Sequence, residues 1–243
     1  SNLTFGRNYI IPKPFDPRLI YEIPPAIAKA AIDSGIATAP IQDWEKYKDE
    51  LMERLGTGSK IVRMLHDRAK SNPKRLVFNE ADQLNVLKAA QIVHDEGIAI
   101  PILLGNKDMI QAHMKEIGLE GEFEIIDPKT EACREQRYAY AELYWKDNQR
   151  KGVTLIEARK TMRERNYFAS MMVNAGDADA MITGYTRNYA SSIKPLFDTI
   201  GKQDGVSRIA ACNLMLTKRG PLFLSDTTVN IDPNPKQLAK ITQ

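Results

Sequence analysis

The stretch with the richest chemistry lies between Thr183 and Lys194, where a glycine, several hydroxyl side chains and two cations follow one another. Glycine lets the backbone approach a ligand closely, and hydroxyls at a helix N-terminus can hold an anion. Charged side chains would strengthen that binding. The candidate ligand-binding residues here are Arg187, Ser191, Ser192 and Lys194. The same pattern would also suit a polar connection in which a serine caps the next helix.

A second polar stretch, Asp226–Asn230, follows an apolar segment and could hold a polar ligand group. Its residue types also end strands for local reasons, so turn chemistry is the favoured interpretation. The three histidines form no i, i+4 pair and neither cysteine lies beside one, so we predict no metal site. The sequence contains no G-x-G-x-x-G motif and no P-loop, which leaves nucleotide binding through those motifs unsupported.

The elements that would position the first stretch alternate between short apolar runs and helical patterns. The apolar runs predict strands at Arg75–Phe78, Ile98–Leu104, Glu122–Ile126 and Ala178–Ile182, with helices between them. Strands that are apolar throughout are typical of a parallel sheet covered on both faces. We therefore predict an α/β fold with a doubly wound, mainly parallel sheet. Ligands bind such sheets beyond the carboxyl ends of the strands, where Thr183–Ser192 would lie.

Residues 3–58 have a different composition from the rest of the chain, and they predict a short helical appendage. Five prolines within Ile11–Pro25 favour an extended strap over Tyr9–Phe15. Pro24 and Pro25 suit the first turn of a helix that Gly35 would end. The predicted linker to the rest of the chain is Gly56–Ser59. The other predicted elements are helices over Trp44–Leu55, Ile193–Ile200 and Asn234–Thr242 and strands over Val206–Leu216 and Leu222–Leu224.

Composition and charge narrow the class of protein. Hydrophobic residues make up 43% of the 243 residues, enough to form a core and exclude general disorder. The net charge of +3 comes from 34 basic and 31 acidic residues that alternate along the chain, so we expect no nucleic-acid partner. The longest apolar runs are far shorter than the roughly 20 residues of a membrane span. Cys133 and Cys212 read as free thiols, and we expect a cytoplasmic location.

Several motifs resemble one known family. Phe5–Leu19 resembles the end of the catalytic part of bacterial NADP-dependent malic enzymes of the large, two-part type, and Ala26–Gly35 continues the match. From Lys74 onward the chain resembles the phosphate acetyltransferase-like part that follows in those enzymes. The matching motifs there are Arg75–Phe78, Val86–Gln91, Pro101–Gly105, Arg150–Thr154, Gly176–Gly184 and Asp226–Asn230.

This resemblance implies a domain division and a fragment. Residues 3–58 would be the tail of the malic enzyme catalytic part, and residues 59–243 a phosphate acetyltransferase-like domain truncated at its C-terminal half. The catalytic residues of both activities would then lie outside the chain, so we expect no catalytic residue and no bound metal in it, and expect the fragment itself to be inactive.

The resemblance also singles out departures from true acetyltransferases. A phosphate-binding arginine that precedes the Lys151–Thr154 stretch in those enzymes corresponds here to Asn148, and a second arginine corresponds to Lys194. Asparagine loses the charge, and lysine loses the forked pair of donors. Arg150 could supply part of the charge missing at Asn148 if its side chain points inward, which spacing alone leaves open.

The function implied is one of control. The parent reaction would be oxidative decarboxylation of malate to pyruvate, with NADP and Mg²⁺ or Mn²⁺ bound in the catalytic part. The acetyltransferase-like part would regulate and oligomerise the enzyme, with acetyl-CoA as its effector and a second copy of the chain as its partner. Two alternatives stay open: a genuine phosphate acetyltransferase, and a structural module that only joins subunits.

Overall fold

The computed structural model describes residues 19–54, 57–119, 121–203, 205–206, 208–217 and 220–242. The chain divides into two compact units. The larger unit is His66–Ile209, and the smaller one combines described residues from either side of it in the sequence. No helix of the described residues is both long enough and apolar enough to span a bilayer.

Three helices open the described chain: α1 (Leu19–Asp33), α2 (Trp44–Glu53) and α3 (Thr57–Ser71). Helix α1 begins at Leu19, so Pro24 and Pro25 lie in its interior, and the prediction that they occupy its first turn is wrong. Gly35, with φ of 75°, follows its end as predicted. The predicted linker is wrong over its last three residues, which form the first turn of α3. The predicted strap over Tyr9–Phe15 lies outside the described residues.

The larger unit is built on a four-stranded sheet in the order β3-β2-β1-β4, with every neighbouring pair parallel. Its strands are β1 (Lys74–Phe78), β2 (Ala99–Leu104), β3 (Glu124–Ile126) and β4 (Ala180–Ile182). Its helices are α4 (Leu84–Asp95), α5 (Lys107–Ile117), α6 (Arg134–Asn148), α7 (Leu155–Thr161), α8 (Arg165–Ala175) and α9 (Tyr189–Thr199), with a 3-10 turn at Gln149–Lys151. The predicted parallel α/β fold is confirmed.

Each face of this sheet has its own apolar core, which makes the sheet doubly wound. Successive side chains of a strand point to opposite faces. Val77 therefore packs with Phe168 and other residues of α6, α7 and α8, while its neighbour Phe78 packs with Leu87 of α4 and Ile110 of α5. Both clusters are almost fully buried. Strands β2 and β4 contain only apolar residues, whereas β1 begins with Lys74 and Arg75 and β3 begins with Glu124.

The C-terminal part of the chain forms an antiparallel hairpin, β5 (Cys212–Thr217) and β6 (Gly220–Ser225), followed by helix α10 (Pro235–Ile241). Both elements match predicted ones, with shifted bounds. The hairpin leaves large apolar side chains exposed on both faces: Leu222 points to one face and Phe223, which is 72% exposed, to the other.

Candidate ligand-binding site

The predicted ligand-binding stretch lies at the carboxyl end of β4, between that strand and helix α9. The helix begins at Tyr189, four residues earlier than predicted, and its N-cap is Asn188 and not a serine. The Asn188 side chain accepts a hydrogen bond from the Ser191 amide at 2.9 Å. Because Asn188 takes the capping position, Ser191 and Ser192 fall in the first helical turn and Lys194 in the second.

The two serine hydroxyls face back along the helix. Each donates to the main-chain carbonyl of Asn188 at 3.0 Å. Ser192 is buried, and its hydroxyl lies beside Gly184, whose φ of 99° only glycine adopts readily. A bulkier residue at position 184 would strain the backbone at the point where it passes the helix end.

A buried carboxylate just beyond the end of β1 holds the loop in place. Glu80 is 4% exposed, and its two oxygens accept the backbone N–H groups of Gly184 at 3.2 Å and of Thr186 at 2.6 Å. Hydrogen bonds to an ionised acceptor are stronger than neutral ones. Glu80 therefore determines where the loop runs relative to the sheet.

A second set of buried groups joins the loop to helix α8. The Thr183 hydroxyl donates to the Oδ1 atom of Asn166 at 3.0 Å, and the Asn166 amide donates to the Ser191 carbonyl at 3.2 Å. Asn79, only 1% exposed, donates to Thr183 at 3.2 Å and also to Asn166. No donor from the described residues reaches the Oδ1 atom of Asn79. The loop and the start of α9 are thus tied to the sheet and to α8 by side chains in the interior.

Both cations of the predicted site are paired with carboxylates of the chain. Arg187 lies 2.9 Å from Glu164, which also caps helix α8. Lys194 donates to Asp198 at 2.7 Å, one turn further along α9, and lies 3.2 Å from the Tyr167 hydroxyl. The positive charge that the sequence placed in this loop is therefore largely compensated within the protein.

The electrostatics around Lys194 reflect this pairing. Its hydrogen bond to Asp198 raises the pKa of the lysine. Burial works to raise the pKa of Asp198, but hydrogen bonds from Lys194 and Tyr167 outweigh it and the pKa is lowered. Burial, together with the hydrogen bond to Asp198, raises the pKa of Tyr167 to about 12. At neutral pH the lysine and the aspartate are both charged, and the tyrosine retains its proton.

Asn148 lies buried at the end of α6, and it meets α9 through the main chain. Its amide donates to the Asp198 carbonyl at 3.2 Å, and its Oδ1 atom accepts from Lys151 at 2.8 Å. Arg150 is exposed in the 3-10 turn. The cation that contacts Asn148 is therefore Lys151 and not Arg150.

The structure thus brings together the loop residues Arg187, Ser191, Ser192 and Lys194, and it connects Asn148 to them through Asp198. The candidate site residues chosen from the sequence did not include Glu80, Tyr167, Lys151 or Asp198, although Glu80 follows the first predicted strand and Lys151 belongs to a family motif. Only one of these left a local signal: the i, i+4 spacing of Lys194 and Asp198 on one helix. The others lie far along the chain from the loop or belong to different elements.

The loop Asp226–Asn230 belongs to the smaller unit. Its aspartate side chain accepts hydrogen bonds from the loop's own backbone, as the turn interpretation predicted. The Asp226 carboxylate accepts the N–H groups of Thr228 and Val229 at 3.2 Å and of Asn230 at 2.6 Å. Desolvation acts against these bonds, yet they keep the pKa of the carboxyl well below its usual range. In the part of the chain that the structure describes, no group of three or more histidine, cysteine, aspartate or glutamate residues is arranged to hold a metal ion.

Comparison with known proteins decides the family. The model of the family described as phosphate acetyl/butaryl transferase matches residues 60–243. The chain belongs to this family. A phosphotransacetylase from Staphylococcus aureus, EutD, has the same fold, with a TM-score of 0.68 over 76% of this chain and 55% of its own at 23% identity.

The similarity to malic enzymes extends further than the family match. The NADP-dependent malic enzyme of Haemophilus influenzae is 38% identical over 244 residues, which cover 98% of this chain and 32% of that enzyme. A phosphate acetyltransferase from Synechocystis is 35% identical over 171 residues, which cover 69% of this chain and 24% of its own. The chain thus spans about a third of the length of this malic enzyme, and its match covers about a quarter of the length of the phosphate acetyltransferase. The resemblance to two-part malic enzymes is confirmed.

Proposed function

We propose that this member of the phosphate acetyl/butaryl transferase family is the regulatory and oligomerising module of an NADP-dependent malic enzyme, and that it senses acetyl-CoA without catalysing acetyl transfer. The observation that carries the proposal is that malic enzymes match 98% of the chain, including the residues before position 60 where the acetyltransferase match begins. The parent enzyme would oxidatively decarboxylate malate to pyruvate, and acetyl-CoA lies downstream of pyruvate.

The NADP and divalent metal of the parent reaction would bind outside this region. Among the described residues no group of three or more histidine, cysteine, aspartate or glutamate side chains could hold a metal ion, and the sequence contains no G-x-G-x-x-G motif. In this proposal the module affects the reaction only through the conformation or assembly of the parent enzyme.

The pairing of charges supports a binding role over a catalytic one. A site that transfers an acetyl group between coenzyme A and phosphate needs cations that can hold the phosphate and stabilise the negative charge that develops on the acyl oxygen. Here Arg187 is paired with Glu164, Lys194 is paired with Asp198, and Asn148 is uncharged. The N-terminus of α9 keeps its partial positive charge, which is suited to holding a phosphate group of coenzyme A weakly.

Self-association is supported by the exposed apolar side chains of the β5–β6 hairpin. A two-stranded sheet alone is marginally stable, and apolar surface of this kind usually finds a partner. We expect the full-length protein to form a dimer or a larger assembly. Light scattering at high protein concentration tests this, and a monomer would contradict it.

Calorimetric titration of the full-length protein with acetyl-CoA tests the sensing role. We expect saturable binding, and we expect Arg187→Ala to weaken it about tenfold, because one charge-assisted hydrogen bond is lost. Although Arg187 is paired with Glu164, its side chain is 40% exposed and its guanidinium has further N–H donors for an anion. Arg134→Ala is the matched control, since Arg134 is also a surface arginine paired with a carboxylate, Glu131, at 2.7 Å. Absence of binding, or equal effects of the two substitutions, would contradict the proposal.

The second candidate is a genuine phosphate acetyltransferase, which the family match and the Synechocystis relative favour. It predicts that the protein forms acetyl-CoA from acetyl phosphate and coenzyme A. Sustained turnover in that assay, lost in Arg187→Ala, would establish this function in place of the first.

A further inference from the structure

Asp198 is the centre of a polar cluster that the predicted site did not include. Its Oδ2 atom accepts from the Tyr167 hydroxyl at 2.6 Å and from the Lys194 amine at 2.7 Å. Its main-chain carbonyl accepts from Asn148, which in turn accepts from Lys151. Three helices and the 3-10 turn thus contribute donors to one place, and all of these residues belong to the larger unit.

This set of donors is the kind that binds a phosphate oxygen. An amine and a phenol converge on a single oxygen, and a second amine, that of Lys151, adds to the positive potential that lowers the pKa of Asp198. Phosphate and carboxylate oxygens use the same charge-assisted hydrogen bonds. A carboxylate in this position would compete with a phosphate for these donors.

Stabilisation of helix α9 gives only a weak reason for an aspartate at this position. Asp198 lies in the last turn, where the helix dipole disfavours negative charge. An i, i+4 ion pair is also more favourable with the acid on the N-terminal side, whereas here the lysine comes first. The residue is therefore better explained by what its carboxylate does to Lys194 and Tyr167.

We propose that the Asp198 carboxylate is an internal substitute for phosphate, which occupies Lys194 and Tyr167 and prevents inorganic phosphate and phosphoryl substrates from binding there. This inference rests on the proposed function in one respect: it explains why a site of acetyltransferase ancestry would respond to a coenzyme A thioester and not to phosphate. Asp198 is thus a specificity-determining residue.

The test is titration of the full-length protein with inorganic phosphate. Binding is measured by calorimetry and by the shift in Tm. Asp198→Asn has nearly the same shape, leaves an oxygen for the Tyr167 hydroxyl and frees the Lys194 amine. We expect it to bind phosphate at least about tenfold more tightly than the wild type, since one charge-assisted hydrogen bond becomes available and a negative charge is removed. Asp198→Ser is measured in parallel as a second replacement that removes the carboxylate.

Asp177→Asn is the matched control. Asp177 also accepts a hydrogen bond from a tyrosine hydroxyl, that of Tyr140, whereas Lys194 is paired with Asp198. The control therefore changes net charge in the same way and should leave phosphate affinity unchanged. Adding Lys194→Ala to Asp198→Asn should abolish the gain.

Phosphate affinity that is the same in Asp198→Asn, Asp198→Ser and the wild type would overturn the inference. So would an equal gain in the Asp177→Asn control, because the effect would then be one of net charge. Acetyl-CoA is titrated separately: a wild type that fails to bind acetyl-CoA contradicts the proposed function, whereas the phosphate titrations decide the role of Asp198.

Discussion

The buried carboxylate of Glu80 provides a direct test of how the ligand-binding loop is positioned. Glu80→Gln keeps the shape of the side chain but replaces one acceptor oxygen with an NH₂ group. That group would face the N–H of either Gly184 or Thr186, which in the wild type donate hydrogen bonds of 3.2 and 2.6 Å to the two carboxylate oxygens. One charge-assisted bond is lost, and a backbone donor is left without its acceptor.

A hydrogen bond to a charged group contributes about 1.5–3 kcal/mol, so we expect the free energy of local opening of the loop to fall by about that amount. Glu80 is almost fully buried, so solvent screening reduces this figure little. Amide hydrogen exchange measures it directly, because protection of the Gly184 and Thr186 amides reports local opening.

Glu157→Gln serves as the control, since Glu157 also accepts a backbone N–H but lies at the exposed N-terminus of α7. It should leave exchange at Gly184 and Thr186 unchanged, and Glu80→Gln should leave exchange in α7 unchanged. Wild-type protection of the two loop amides in Glu80→Gln would refute the conclusion that Glu80 holds the loop.

Two further predictions concern the stability of the larger unit. Phe168→Ala should lower its free energy of unfolding by about 3–5 kcal/mol, because this fully buried ring packs against Tyr140. As a control, Phe197→Ala should lower it much less, because Phe197 is 38% exposed. Denaturant unfolding measures both, and equal shifts of the two midpoints would contradict the prediction. Hydrogen bonds from Arg75 lower the pKa of Asp179 to about 2, whereas the unfolded chain takes up that proton near pH 4. The pair therefore contributes stability above about pH 4 that is lost as the pH falls towards 2. Between about pH 4 and pH 2, acid unfolding should show that Asp179→Asn loses less stability than the wild type. Parallel stability curves for the two proteins would contradict this prediction.

The sequence alone determined the order and type of the elements in the larger unit, because their signals are local. An apolar run such as that of β2 indicates a strand that is covered on both faces, as its last four residues, Pro101–Leu104, are. Capping is local as well: Asn106 caps α5 through the N–H of Met109 at 3.0 Å. Where several capping residues follow one another, as in Asn188–Ser192, the sequence could not choose among them, and the start of α9 was misplaced.

The family could also be recognised from the sequence, because whole motifs such as Gly176–Gly184 are retained. Retained motifs do not reveal which charges remain available. Arg187 and Lys194 look like cations ready for an anion until the structure shows Glu164 and Asp198 beside them.

Only the tertiary structure decided which side chains hold the loop in place and which carboxylates pair with its positive charges. Glu80 lies 104 residues before Gly184 along the chain, and they meet because β1 and β4 are neighbours in the sheet. Tyr167 and Asn148 reach Asp198 because α8 and the end of α6 pack beside α9. The sequence specified α9 and the charges on it through short-range preferences, whereas the partners of those charges depend on long-range packing, which no local pattern records.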